Sequence, residues 1–169
     1  MTTRRTPHLL ALAAALSLLA ACAGPGESTP SATSSAAPAG PVKGTWVDVS
    51  VSGDNVIVPL SLVQQKVNTH FSVMQSDRRL DFMAYVLNGT VHVRANACPP
   101  CRSRGFALDG DVLVCDACAT TFRAKDGSGI QGACVDYPKA AVAYSIADGV
   151  VTMSLADLTA AYEETLVRG

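Results

Sequence analysis

Three features of the sequence predict a mainly β fold with a C-terminal helix, its hairpins carrying a ribbon-like four-Cys metal site. Short apolar runs are separated by Asn-Gly and Asp-Gly turns, two Cys-x-x-Cys pairs bracket one of those turns, and a single apolar stripe of helical period closes the chain.

The first residues stand apart from that fold. "MTTRRTPHLLALAAALSLLAAC" opens on Arg4 and Arg5, runs through an apolar block from Leu9 to Leu19 and ends on small residues before Cys22, the layout of an export signal. The block is too short for a permanent membrane span. Its end, Leu19-Ala20-Ala21-Cys22, resembles the bacterial lipobox, in which the signal is cleaved before a Cys that then carries lipid. Residues 1–21 are therefore expected to be a lipoprotein signal peptide and Cys22 the lipidation site. Cleavage removes two Arg and no acid, so the formal net charge moves from −1 to −3, and nothing suggests a nucleic-acid partner. Residues 22–43, rich in Ala, Ser, Thr, Pro and Gly, cannot bury enough apolar surface to offset their chain entropy. They read as a tether with a reach of roughly 25 Å. Residues 44–169 are long enough for one domain with its own core.

Within that domain, "WVDVSVS" places Val47, Val49 and Val51 on one face of a strand, and "NVIVP" follows the Gly53-Asp54 turn as its partner. Ser61 is expected to cap a short helix through Lys66, after which "HFSVM" is extended. "RLDFMAYVLNGTVHVRA" is the clearest hairpin, because Asn88-Gly89 supplies the two positive-φ residues of a type I′ turn. "FALDGDVLV" turns at Asp109-Gly110, and "VAYSIADGVVTMS" turns near Asp148-Gly149. Ser154 and Asp157 then form a capping pair, with Leu155, Leu158, Tyr162 and Leu166 on one helical face.

The thiols carry the chemistry. Cys98-x-x-Cys101 and Cys115-x-x-Cys118 flank thirteen residues that form a hairpin, and two such tight turns can aim four sulfurs at one metal. Four thiolates suit zinc, mononuclear iron or an iron-sulfur cluster. Disulfide staples are a rival in an exported protein, but Cys134 leaves an odd number of thiols once Cys22 carries lipid. Thiol redox catalysis is another, since "CPPC" resembles the thioredoxin motif. That chemistry wants a helix directly after the first Cys, and Gly105 and the next turn arrive too soon. Arg94, Arg102, Arg104, Arg123, Lys125 and Lys139 cluster around the Cys segment, either screening the negative charge of four thiolates or lying on solvated surface. His92 alternates with Val91 and Val93 as a polar-face residue, and neither it nor His70 is expected to be a ligand.

"LDFMAYVLNGTVHVRANACPPCRSRGFALDGDVLVCDACATTFRAKDGSGIQGACVDYP" is similar to the C-terminal domain of the membrane iron-sulfur-containing FtrD-like family, over roughly residues 80 to 157. A strand pair, a first Cys pair, a Gly-Asp hairpin, a second Cys pair followed by Phe, and a Gly-rich segment ending in Cys carry the resemblance. All five Cys positions are filled. The resemblance implies a cofactor that is an iron-sulfur cluster or mononuclear iron, with zinc the alternative, and a site role for Cys134 beside the four paired Cys. It also implies bacterial iron uptake or electron transfer, with an iron permease or a redox protein as partner. "VCDACATTF" further resembles the second half of a Rieske box, with Cys118 where that box has His; a Rieske ligand set needs two His on one iron and neither pair contains one, so the expected site is a four-Cys one on a zinc-ribbon-like or Rieske-like ribbon.

No catalytic residues are assigned, because the chain shows no His-Glu zinc helix, no Ser-His-Asp order and no phosphate-cradling Gly loop. The expected function is electron transfer or iron uptake by a lipid-anchored protein on the extracytoplasmic side of the cell membrane. A structural zinc-ribbon module is the first alternative and a thiol-disulfide redox protein the second.

Overall fold

The computed structural model describes residues 40–169. The expected signal peptide, Cys22 and the tether as far as residue 39 lie outside the described residues. Within them the order is β1 (Thr45–Trp46), β2 (Ser50–Ser52), β3 (Asn55–Pro59), α1 (Leu60–Lys66), β4 (Asn68–Gln75), β5 (Arg78–Leu87) and β6 (Thr90–Ala95). There follow β7 (Phe106–Asp109), β8 (Val112–Cys115), β9 (Thr121–Arg123), β10 (Gly129–Gln131), β11 (Ser145–Ala147), β12 (Val150–Ser154) and α2 (Leu155–Leu166). The architecture is mainly β with a C-terminal helix.

The strands form three four-stranded sheets, ordered β1-β4-β5-β6, β10-β9-β8-β7 and β11-β12-β3-β2. The first holds the molecule together, because both of its faces are covered. Along β5, Leu80, Phe82 and Ala84 face one core, shared with Val56, Val58, Val151, Met153 and Leu158 from the third sheet and α2. Met83 and Tyr85 point the other way, into a second core with Phe106, Leu113, Phe122, Cys98, Cys115 and Cys134. The period of two in one strand thus serves two cores, and the second is the one that holds the thiols.

The hairpins form where the turns are. Asn88 and Gly89 take φ of 51° and 78°, and Asp148 and Gly149 take 50° and 73°, so both turns have the two positive-φ residues of type I′. The Cys hairpin differs by one residue. Asp109 pairs with Val112 as the last ladder pair, and the turn is Gly110-Asp111, with Gly110 at φ 59°. Asp109 keeps strand geometry because the ladder from Phe106 to Asp109 opposite Val112 to Cys115 already accounts for its backbone.

Three other expectations are corrected. "WVDVSVS" is two strands: β1 runs parallel to β4, while β2 is antiparallel to β3, and Val51 is exposed where a core position was expected. The chain leaves one sheet and joins another between Trp46 and Ser50, which a period-two pattern cannot register. Ser61 is inside α1, whose N-cap is Pro59 with no side-chain capping bond. The folded part also reaches back to Val42, which exchanges backbone hydrogen bonds with Leu108 at 2.7 and 2.9 Å. At the other end the Ser154 hydroxyl accepts from the Asp157 N–H at 3.0 Å and caps α2, a bond worth about 1 kcal/mol. Leu158 is fully buried beneath that helix. No helix among the described residues is long and apolar enough to cross a membrane.

Candidate metal centre

Two turns of one design aim the thiols. The Cys98 N–H donates to the Ser103 carbonyl at 2.9 Å, and the Cys115 N–H donates to the Thr120 carbonyl at 2.9 Å, five residues on in each case. The residue after the second Cys has positive φ in both turns, Arg102 at 58° and Ala119 at 56°. This left-handed residue folds each Cys-x-x-Cys segment back, so that both sulfurs face the same side. The hairpin β7–β8 sets the two turns against each other, with Phe106 paired to Cys115.

The result is one cluster. Sγ atoms of Cys98, Cys101, Cys115 and Cys118 all lie within 4.8 Å of one another, and those of Cys101 and Cys115 are 3.7 Å apart. An ion bound by four sulfurs at about 2.3 Å has sulfur–sulfur edges of about 3.8 Å, so the separations match a single iron or a single zinc ion, while the thiolate-only donor set suits an iron-sulfur centre and zinc alike. Cys98 and Cys115, the first of each pair, are buried, whereas Cys101 and Cys118 are half-buried. The site therefore has an inner and an outer edge. The residues after Cys101 lead into β7, so neither pair stands at a helix N-terminus, where thiol redox chemistry would want it.

Burial separates the thiols chemically. It pushes Cys98 up, helped by hydrogen bonds with Cys101 and Cys134 and opposed by Lys139, and it pushes Cys115 up as well. Burial acts against ionisation of Cys118 too, but hydrogen bonds from the Thr120 side chain and backbone, with Cys115 and Cys101, outweigh it and bring Cys118 down to about 6. At neutral pH Cys118 is a ready thiolate, and metal loading must release protons from the inner pair. Thr120 is well set for this. Its Oγ1 is 3.2 Å from the Cys118 sulfur and accepts from the Cys134 N–H at 3.3 Å, which leaves the hydroxyl proton for the thiolate.

Cys134 comes to the edge of the cluster, its sulfur 3.8 Å from that of Cys118. Its loop needs glycine. Gly132 has φ +119°, and a Cβ there would stand 2.6 Å from Thr120 Oγ1, while one at Gly129 would meet the Val135 carbonyl oxygen at 2.3 Å. Ala133 points to solvent.

The six bases near the Cys segment divide. Arg102, Arg104, Arg123 and Lys125 are exposed, and Arg104 forms an ion pair with the buried Asp81. Arg94 is buried and spends its guanidinium on the Tyr85 hydroxyl and the carbonyls of Ala124, Lys125, Asp126 and Lys139. Lys139 is fully buried and donates to the Ala97 carbonyl at 2.7 Å. His70 packs edge-on to Trp46, and His92 stacks on Tyr85 with ring centroids 5.5 Å apart; neither belongs to the metal-ligating group. Sequence reasoning missed Thr120. A hydroxyl two residues past the last ligand, on the strand side of the turn, was the available signal.

A family described as membrane iron-sulfur containing protein FtrD-like matches residues 62–164. Among solved structures, Sphingomonas yanoikuyae B1 ferredoxin is 22% identical, with 49% of this chain and 81% of that one covered and a TM-score of 0.42. A chain from the complex of reduced oxygenase and oxidized ferredoxin in carbazole 1,9a-dioxygenase is 18% identical, with 52% and 81% covered and a TM-score of 0.44. No curated protein matches the chain.

Proposed function

The chain belongs to the membrane iron-sulfur containing FtrD-like family, and on that premise we propose that Cys98, Cys101, Cys115 and Cys118 hold its iron-sulfur centre for electron transfer or iron uptake at the extracytoplasmic face of the cell membrane. When bound, such a centre accepts and returns single electrons. The observation that carries the reading is the convergence of four thiols from two matching turns. Four protein sulfurs complete a tetrahedron and leave no position for a substrate, which favours carrying electrons over catalysing a reaction. Cys101 and Cys118 give the centre an outer edge toward a redox partner or an iron permease, while Cys98 and Cys115 keep the inner edge dry.

Lipid on Cys22 supplies the anchor in this reading, and the Ala/Ser/Pro-rich segment holds the domain just off the membrane surface. Cys134 stands beside Cys118 as an accessory thiol.

Replacing Cys115 or Cys101 by Ser tests the centre. Bound iron and melting temperature are expected to fall together, because metal binding is part of the folding free energy of such a site. A variant that keeps both would remove these residues from the ligand set. For the anchor, Cys22→Ser is expected to leave an unprocessed precursor that takes up no labelled lipid, and normal labelling would refute it.

A further inference from the structure

We propose that Lys139 is the charge partner of the four-thiolate centre, its buried ammonium favouring the reduced state and so setting the reduction potential. The inference rests on the iron-sulfur reading above and assigns a residue that reading does not use.

Lysine is almost never fully buried unless it is paired, because removing an ammonium from water costs several kcal/mol even after relaxation. Lys139 is fully buried. Its ammonium has three donors, and among the described residues one hydrogen bond is formed, to the Ala97 carbonyl. It also lies over two ring faces, with Nζ 4.6 Å from the Phe122 centroid and 5.3 Å from that of Phe106. Cation–π attraction of this kind is worth about 2 kcal/mol when desolvated and does not balance the burial alone. No carboxylate makes up the difference: the ion pairs among the described residues join Arg78 to Glu163, Arg79 and Arg104 to Asp81, and Arg168 to Asp136.

The groups near Lys139 that become negative on metal loading are the sulfurs. Ala97 immediately precedes Cys98, Phe106 pairs with Cys115, and Phe122 lies in the same core as Cys98, Cys115 and Cys134. Burial pulls the ammonium toward discharge, and Cys98, Cys115, Cys134 and Cys101 oppose it. The backbone is fixed to match. The Lys139 N–H donates to the Gly127 carbonyl at 2.8 Å, and Arg94 donates to the Lys139 carbonyl at 2.8 Å. Gly127 permits this approach, since a Cβ there would stand 2.1 Å from the Lys139 carbonyl oxygen.

A fixed positive charge beside the sulfurs acts differentially on the two oxidation states. Reduction adds one electron and one negative charge, with no atom gained or lost, and Lys139 lowers the cost of that charge in a medium where electrostatic interactions are little screened. The same ammonium favours any divalent ion held by four thiolates, whose sum is about −2.

The test uses Lys139→Met and Lys139→Gln, which keep much of the stem's volume and remove the charge. Potentiometric titration of the iron-loaded proteins with dithionite is expected to show the reduced-to-oxidised ratio at a given ambient potential falling at least tenfold in both variants, a drop of about 59 mV for one electron. Zinc-loaded protein challenged with a chelator is expected to lose metal at least tenfold more readily. Unchanged midpoints in the loaded variants would overturn the proposal. Failure of both zinc-loaded variants to fold would also overturn it, because the ammonium would then be a packing element. The zinc arm judges Lys139 separately from the function: wild-type protein that binds no iron refutes the iron-sulfur reading, and zinc retention still reads out the charge.

Discussion

Replacing Arg102 and Ala119 by Gly is expected to stabilise the metal-loaded domain. Both residues occupy the position after the second Cys of a Cys-x-x-Cys turn, at φ of 58° and 56°. An L-residue in the left-handed region loses about 1–2 kcal/mol relative to glycine there. Glycine gives back roughly 0.5–1 kcal/mol through the greater freedom of its unfolded chain. The net gain is about 0.5–1 kcal/mol at each site, and about 1–2 kcal/mol for the pair. Neither side chain offsets it, since Ala119 is exposed and Arg102, also exposed, takes part in none of the ion pairs among the described residues. Guanidinium unfolding of the single and double variants, loaded with the same metal, measures the change. A fall of more than about 0.5 kcal/mol in either single variant would mean that these side chains, and not the backbone bonds to Ser103 and Thr120, hold the turns.

His70 gives a pH dependence of known sign. Burial, opposed by a backbone hydrogen bond at Phe106 and by the charge of Asp81, lowers it from 6.5 to about 4. The unfolded chain takes up this proton below 6.5 and the folded one does not until about 4, so stability is lost as pH falls through that window. Between pH 7 and pH 5 the wild type is expected to lose about 2 kcal/mol more than His70→Gln in urea unfolding, and equal losses would contradict the assignment. Thr120→Val removes a donor to Cys118 and strands the buried Cys134 N–H. The Cys118 thiol is expected to move up from about 6, read from the pH profile of its alkylation, and the potential to fall by roughly 40 mV, equivalent to about 1 kcal/mol on one electron. Thr120→Ser should behave as wild type, and a silent Thr120→Val would mean that the hydroxyl does not act on Cys118.

Hairpin identity was legible because it is local. Asn88-Gly89 and Asp148-Gly149 specify their own φ angles, and Ser154 specifies its own cap. The split of "WVDVSVS" between two sheets was not legible, since Val47, Val49 and Val51 alternate whichever sheet receives them, and the choice is made by distant partners, Thr69 and His70 on one side and Val56 and Ile57 on the other. The convergence of the paired Cys followed from their spacing. Lys139 was different. In "YPKAAV" it is a lone base among apolar residues, a pattern that fits a solvated lysine and a buried one alike, and only the arrival of Phe106, Phe122 and Ala97 from other segments decides between them. The site role of Cys134 is implied by the family resemblance, and the structural reason for its approach is specific: Gly132 lets the loop pass against Thr120.

Visible absorption with elemental analysis of domain purified anaerobically from cells grown with ample iron decides whether the four sulfurs hold iron. Stoichiometric iron and a chromophore that bleaches on reduction are expected, both lost when Cys115 becomes Ser. Stoichiometric zinc in colourless protein that does not respond to reductant would contradict it, and would make the four sulfurs a structural clamp for the fold.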